Sequence, residues 1–419
     1  FPLKDRKLLQ EAQSRSAVLR DRNFVLFASS RFLSSTAILM QSVAVGWQVY
    51  AKTGNVTDLG YVGLAQFLPF FAFILLSGQV ADRNDRLKIL TGCNGGYLIG
   101  SLSLLAYTLT GAPSVLPIFA ILLMLGTSRA FAMPANQAIL RNIVSPDDFK
   151  QAVAFNSTAF HVAVVAGPML GGFLYLAGPA IVHGTVSAIL VLATVLLLFV
   201  KTHQVREAPT PITWRNTLEG FRFVWSKPTI LGAISLDLFA VLFGGATALL
   251  PAIARDVLHA DSTALGMLRA SPAIGASVTT LYLATHPIKR RVGMWMFGGV
   301  ALFGASTIAF GLSTNLVFSM SCLFLLGVGD MVSVYIRHIL VQTQTPDELR
   351  GRVSAVSAVF IGASNELGEF ESGVTAGWFR LVPSVVIGGV ATLLVTVSWM
   401  GLFPTLRTMD AFPKDPEAK

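Results

Sequence analysis

The chain has 419 residues, 53% of them hydrophobic and only 13% charged, with a mean hydropathy of +0.65. Soluble globular proteins are about a quarter charged, so the composition excludes an ordinary soluble domain. A net charge of +9 would suit a nucleic-acid binder, but the placement of the charges argues against one.

Apolar stretches of about 20 residues span a bilayer as helices. Twelve occur, near 24–50, 59–81, 89–110, 114–140, 149–177, 180–201, 228–254, 262–285, 292–312, 315–342, 352–378 and 383–405. The expected fold is an all-α membrane protein of twelve transmembrane helices. The N-terminal stretch is polar and the first span is too long for a signal peptide, so no cleavable leader is expected. Cys93 and Cys322 both sit in apolar stretches, so neither a disulfide framework nor a metal site is expected.

An even number of spans puts both termini on one side. The loops on that side hold 24 of the 31 Lys and Arg, the opposite loops hold Lys52, Arg255 and Arg380, and the remaining four lie within spans. Cytoplasmic loops carry such an excess of basic residues. Both termini are therefore expected in the cytoplasm, with the basic residues accounted for by topology and not by nucleic acid.

The chain divides at a polar stretch. Residues 1–201 form the first expected bundle, 202–227 a cytoplasmic linker, and 228–419 the second bundle. Within the linker, Pro209 and Pro211 precede a run in which Trp214, Leu218, Phe221 and Trp225 share one helical face. Such a helix lies on the inner membrane surface and ties the halves together. The halves also repeat. Ser145-Pro-Asp-Asp-Phe-Lys resembles Thr345-Pro-Asp-Glu-Leu-Arg; Leu125-Gly126 recurs as Leu326-Gly327; Gly167 and Gly172 recur as Gly368 and Gly373. Two six-helix repeats in one orientation predict a pseudo-two-fold axis along the membrane normal, with a substrate path near the midplane.

Ionisable residues in spans are costly and mark such a path. By the repeat, Arg129 corresponds to Asp330, and Arg31 corresponds to Asp237. These four are expected toward the central interface, where they pair structurally or frame a ligand. Asp330 and Arg337, seven apart, share a helical face. Glu366 and Glu369 lie three apart on one face. Two neighbouring carboxylates in a poorly solvated site do not both ionise cheaply, which suits a proton carrier; pairing with an arginine or exposure in an outer vestibule would suit them equally. Glu371 points about 200° from Glu369 on a helix of 3.6 residues per turn. His161 is a candidate for the substrate cavity, or a hydrogen-bonded packing residue. Arg269 has no counterpart in the repeat and is expected near the outer mouth. Phe67, Phe70, Phe71 and Phe73, with Gln41, Trp47 and Gln48, would wall a cavity for a bulky amphiphile.

Two six-span halves resemble the major facilitator superfamily over nearly the whole chain. Gly78-Gln-Val-Ala-Asp82-Arg83-Asn-Asp-Arg86-Leu-Lys88 resembles its signature between spans two and three. That resemblance implies a close helix approach at Gly78, an acid at Asp82 near a helix N-terminus, and ion pairs at Arg83 and Arg86 that break between states. Asp85 replaces the usual glycine, and the second copy near His286-Pro-Ile-Lys-Arg-Arg is degenerate. Gly167-Pro168-Met-Leu-Gly171-Gly172 resembles the fifth-span motif of proton-driven exporters, where small residues permit tight packing and proline bends the helix. A closer resemblance is to the bacterial enterobactin/siderophore exporter family, carried by Ser30-Arg31-Phe32-Leu33-Ser34, Leu218-Glu-Gly-Phe-Arg-Phe and Leu340-Val-Gln-Thr-Gln-Thr-Pro-Asp-Glu-Leu-Arg-Gly-Arg-Val.

The resemblance implies a secondary active transporter of the bacterial inner membrane, exporting a siderophore-like or amphiphilic small molecule by proton antiport through alternating access. The alternative is a proton-coupled importer of an iron chelate or small metabolite. The chain is expected to act as a monomer, with small-molecule substrate, protons and lipid bilayer as partners, and without cofactor. No nucleotide-binding loop, nucleophile–base pair or ligand-spaced His/Cys cluster appears in the sequence, which argues against an ATP-driven pump and against an enzyme.

Overall fold

The computed structural model of the chain describes residues 18–202 and 214–413. Pro209 and Pro211 of the linker lie outside the described residues. Among those described, helix is the only regular structure. The first helices are α1 (Arg22–Thr53), α2 (Val56–Arg83), α3 (Arg86–Thr110), α4 (Leu116–Ala138), α5 (Phe149–Tyr175) and α6 (Pro179–Leu198). After the linker helix α7 (Trp214–Ser226) come α8 (Pro228–Phe243), α9 (Ser262–Thr285), α10 (Val292–Gly311), α11 (Leu316–Gln344), α12 (Asp347–Phe379) and α13 (Leu381–Leu402).

Ten of the described helical segments are long and apolar enough to cross a membrane. Two more, α9 and α12, have spanning length but carry Arg269 and Glu366, Glu369 and Glu371, whose charges lower their hydropathy. Leu109, Leu281, Val317 and Trp378 are each at least 70% exposed. Apolar faces of this kind would be a liability in water but are what a bilayer covers.

Local chemistry sets the helix ends. Asp85, the departure from the loop signature, is the N-cap of α3, its Oδ1 accepting from the Leu87 N–H at 2.9 Å. Asp261 and Asn315 cap α9 and α11 in the same way, accepting from Ala264 and Phe318 at 3.0 Å. Gly111 closes α3 in the left-handed region, at φ 66°.

The expected span 228–254 is found as one spanning stretch, Pro228–Val257, but its helix is interrupted. After α8 the chain passes through a 3₁₀ turn (Ala246–Leu249), an α turn (Leu250–Ala252) and a π turn (Ile253–Val257). Gly244 and Gly245 are poor helix formers, and Pro251 lacks a backbone donor. A side chain at Gly245 would meet the Gly368 carbonyl at 2.6 Å, so the break also lets α12 approach closely.

The chain forms two compact units, one of residues 1–45 and 68–211, the other of 46–67 and 212–419. In the first, α5 lies directly on α1: a Cβ at Gly167 would stand 2.7 Å from Cβ of Leu39, and one at Gly171 would stand 2.7 Å from the Met40 carbonyl. These are the glycines of the fifth-span motif. Pro168, beside them, is buried inside α5.

In the second unit a core of Leu236, Met296, Phe297, Val300, Ile336 and Leu340 joins α8, α10 and α11. The linker helix belongs to this unit. Its buried side is Gly220 and Val224; Gly220 abuts the Arg352 backbone, Val224 packs with Ile230, Val341 and Val353, and Glu219 forms an ion pair with Arg352. Phe221 stacks against Trp225, which is 67% exposed. The side chains of Trp214 and Leu218 lie outside the described residues. The degenerate basic loop before α10 is held by the chain beyond the last span. Asp410 accepts from the Arg291 N–H at 3.1 Å and faces Arg290 at 3.4 Å, while the carbonyls of Asp410 and Met409 accept from the N–H groups of Val292 and Gly293.

Candidate functional site

The buried charges of the second unit form two groups. In one, Arg337 of α11 reaches Asp237 of α8 at 2.9 Å, both side chains only 6% exposed. Asp330, two turns earlier on α11, interacts electrostatically with both. The sequence expectation joins Asp330 to Arg337 along one helix face. The structure adds Asp237 from a helix about 100 residues away and makes it the direct partner. A guanidinium and a carboxylate out of water are tolerated only when paired, and Asp237 is buried on α8 between the core residues Ala233, Leu236 and Ala240 of the same helix.

The other group joins Arg269 of α9 to Glu366 and Glu369 of α12, which lie close enough for mutual electrostatic interaction. Arg269 is not among the expected site residues, since its position in the repeat points to no partner; α9 and α12 nevertheless present it to both glutamates. Glu366 is buried and Glu369 partly so. Glu369 lies against Gly63, where a Cβ would stand 2.8 Å from Oε2. Glu371, on another side of α12, accepts from Thr375 Oγ1 at 2.7 Å. Each group therefore holds two carboxylates and one guanidinium.

Residues 46–67 seal against the helices of this unit beside the second group. Tyr50 donates from its hydroxyl to Asp256 in the π turn, Arg255 reaches the Tyr50 carbonyl at 3.4 Å, and Gly60 meets Gly373 backbone to backbone. Trp47 lies in this segment. The aromatic run on α2 is divided: Phe67 and Phe70 are buried, Phe71 is exposed, and Phe73 packs on Phe131.

The first unit is electrostatically opposite. Arg31 of α1 borders a small cavity of about 70 Å³ and stands over the ring of Phe160 at 5.9 Å. Arg129 of α4 stands over Phe70 at 5.5 Å and interacts electrostatically with Tyr97. Gln41, ten residues beyond Arg31, is buried but does not line this cavity, and His161 is an exposed neighbour of Phe160. Arg86 of the loop signature pairs with no carboxylate among the described residues. It donates to the Ala138 carbonyl at 3.1 Å and to Asn142 Oδ1 at 2.8 Å, pinning the start of α3 to the end of α4. Asp82 and Arg83 are exposed at the end of α2. No group of His, Cys, Asp and Glu fit for a metal ion occurs among the described residues.

Apolar helices around buried ion pairs and a small polar cavity make a membrane transporter, and the fold is that of the major facilitators. Solved transporters share it: the POT family transporter PepTSo (TM-score 0.71, 12% identity, 93% of this chain and 99% of that one) and a bacterial homologue of the iron transporter ferroportin in an inward-facing state (TM-score 0.69, 16% identity, 94% and 100%). The chain belongs to the transmembrane secretion effector family, whose model matches residues 13–419. It is similar to the enterobactin exporter EntS of Citrobacter koseri, with 25% identity over 93% of each chain, and to that of Escherichia coli O1:K1, with 26% identity over 92% of each.

Proposed function

We propose that this transporter exports a siderophore-like or amphiphilic small molecule across the bacterial inner membrane by proton antiport through alternating access, working as a monomer with both termini in the cytoplasm. The observation that carries the direction is similarity to curated enterobactin exporters over more than nine-tenths of the chain. Twelve spans in two six-helix bundles, 1–201 and 228–419 joined by 202–227, are the architecture this reading requires.

The proton reading rests on charge. Each buried group of the second unit has one carboxylate more than its arginine can neutralise. A proton on Glu366 or Glu369, or on Asp237 or Asp330, removes that surplus and makes the group less costly to enclose when the cavity changes side. Release of the proton restores the charge and resets the carrier.

Purified protein in liposomes tests this reading against a panel of iron chelators and amphiphilic drugs. The expected result is movement of at least one compound against its gradient, driven by an opposed proton gradient. Movement of compound and protons in the same direction would replace antiport with uptake, and a proton gradient without effect on any compound would end the proton reading.

A further inference from the structure

The cavity beside Arg31 is lined by donors and by no acid. Ser34, Asn94, Tyr97 and Asn136 share it with the guanidinium, and Phe27, Leu90 and Leu197 close its apolar side. Among the described residues, Arg31 makes only its contact with the Phe160 ring, while Tyr97 and Asn136 have no hydrogen-bond partner. Asn94 accepts from Ser34 Oγ at 3.3 Å through its oxygen, which leaves its amino group as a donor. Tyr97 and Asn94 are buried, and Arg31 and Asn136 half-buried, so the cavity gathers a cation and polar donors on an otherwise apolar wall. The neighbourhood favours a charged acceptor. No Asp or Glu occurs within α1, α3, α4, α5 or α6, and Arg129 adds positive charge near Tyr97.

We infer that this cavity is an oxyanion subsite: Arg31, Tyr97, Asn94 and Asn136 hold a carboxylate, or an oxyanion of similar size, on an otherwise apolar small molecule. Guanidinium-to-oxyanion hydrogen bonds are about twice as strong as neutral ones. The cavity, about 70 Å³, has several times the room a water requires but accommodates a headgroup rather than a ring system. The remainder of the molecule lies outside it. The subsite rests on the transport reading insofar as its occupant is the cargo, and it gives that cargo a chemical class: an anionic amphiphile.

Binding to the purified full chain tests the inference, with the fluorescent 1-naphthoate and its neutral near-isostere 1-naphthamide as probes. The wild type is expected to bind naphthoate at least roughly tenfold more tightly than naphthamide, and Arg31→Gln to bring the two within about twofold. Equal affinities in the wild type, no measurable naphthoate binding, or a preference that survives Arg31→Gln would overturn it. Should Arg31→Gln not fold, a Tyr97→Phe/Asn136→Ala double variant decides. A loss of about threefold to tenfold for naphthoate alone supports the subsite, and an equal loss for both probes overturns it. Anion selectivity without gradient-driven flux would remove the antiport reading and leave the subsite standing. Gradient-driven flux without anion selectivity would do the reverse.

Discussion

The two charge groups of the second unit have the same composition and different construction. Asp237 and Arg337 make a direct ion pair between α8 and α11, on helices whose neighbouring Leu236 and Ile336 are buried in one apolar core. Arg269, Glu366 and Glu369 instead draw on α9 and α12, and Glu369 rests on Gly63, in a segment from the far end of the sequence. The first group is held entirely by helices that follow the linker. The second keeps its surroundings only while residues 46–67 stay seated. Equal charge therefore sits in two different settings, one within helices after the linker and one against an early segment.

The sharpest way to break this comparison is to remove the arginine from the enclosed pair. Arg337→Met leaves Asp237 buried without its partner, which costs about 3–5 kcal/mol. It should appear as a large fall in the thermal midpoint in detergent, largely restored by adding Asp237→Asn. A variant as stable as wild type would show that the pair is not structural. In the other group, the Glu366→Gln/Glu369→Gln double variant should keep the fold and lose at least roughly thirtyfold in proton-driven accumulation, a loss of about 2 kcal/mol. Substrate-dependent proton movement in proteoliposomes reads it. Unchanged coupling would move the proton site to Asp237 or Asp330.

Two smaller changes sharpen the role of the early segment. Gly373→Ala would drive a methyl group into Gly60 Cα at 2.6 Å, where only backbone can yield. Gly63→Ala meets Glu369 at Oε2, 2.8 Å, which can rotate away, and at Cβ, 2.9 Å, which shifts only with α12. The first should cost about 1–3 kcal/mol and the second less, measured as thermal midpoints; the reverse order would mean that this seam is not tightly packed. Tyr50→Phe deletes the hydrogen bond to Asp256, whose side chain is 48% exposed. Its effect should be about 1 kcal/mol or less, seen as modestly faster cysteine labelling near residue 50.

Much of the fold was legible because the bilayer writes it in composition. Uninterrupted apolar stretches locate the helices, and the small residues at Gly167 and Gly171 announce the contact of α5 with α1. The broken helix after Phe243 was less legible, since hydropathy does not register that Gly244, Gly245 and Pro251 interrupt a helix while remaining apolar. The candidate charges were also visible, but not their grouping. Arg269 and the glutamates lie about 100 residues apart, and nothing in a repeat offset says that α9 faces α12 at that height. Asp237 and Arg337 were hidden for the same reason. Asp85 carried a signal of its own: an aspartate directly before a helix is a cap, and measured against the loop signature it reads only as a missing glycine.

The clasp of Asp410 on the start of α10 has a consequence for biosynthesis. Val292 and Gly293 expose their amide hydrogens from the moment they are made, whereas the carbonyls that receive them, on residues 409 and 410, come more than a hundred residues later. At roughly 5–20 residues per second, that delay is on the order of 6–24 s. During it, water or translation-associated partners must satisfy the first turn of α10. Closure of the clasp thus requires synthesis through Asp410, and a nascent protein truncated before Met409 would leave the ribosome with that turn still open.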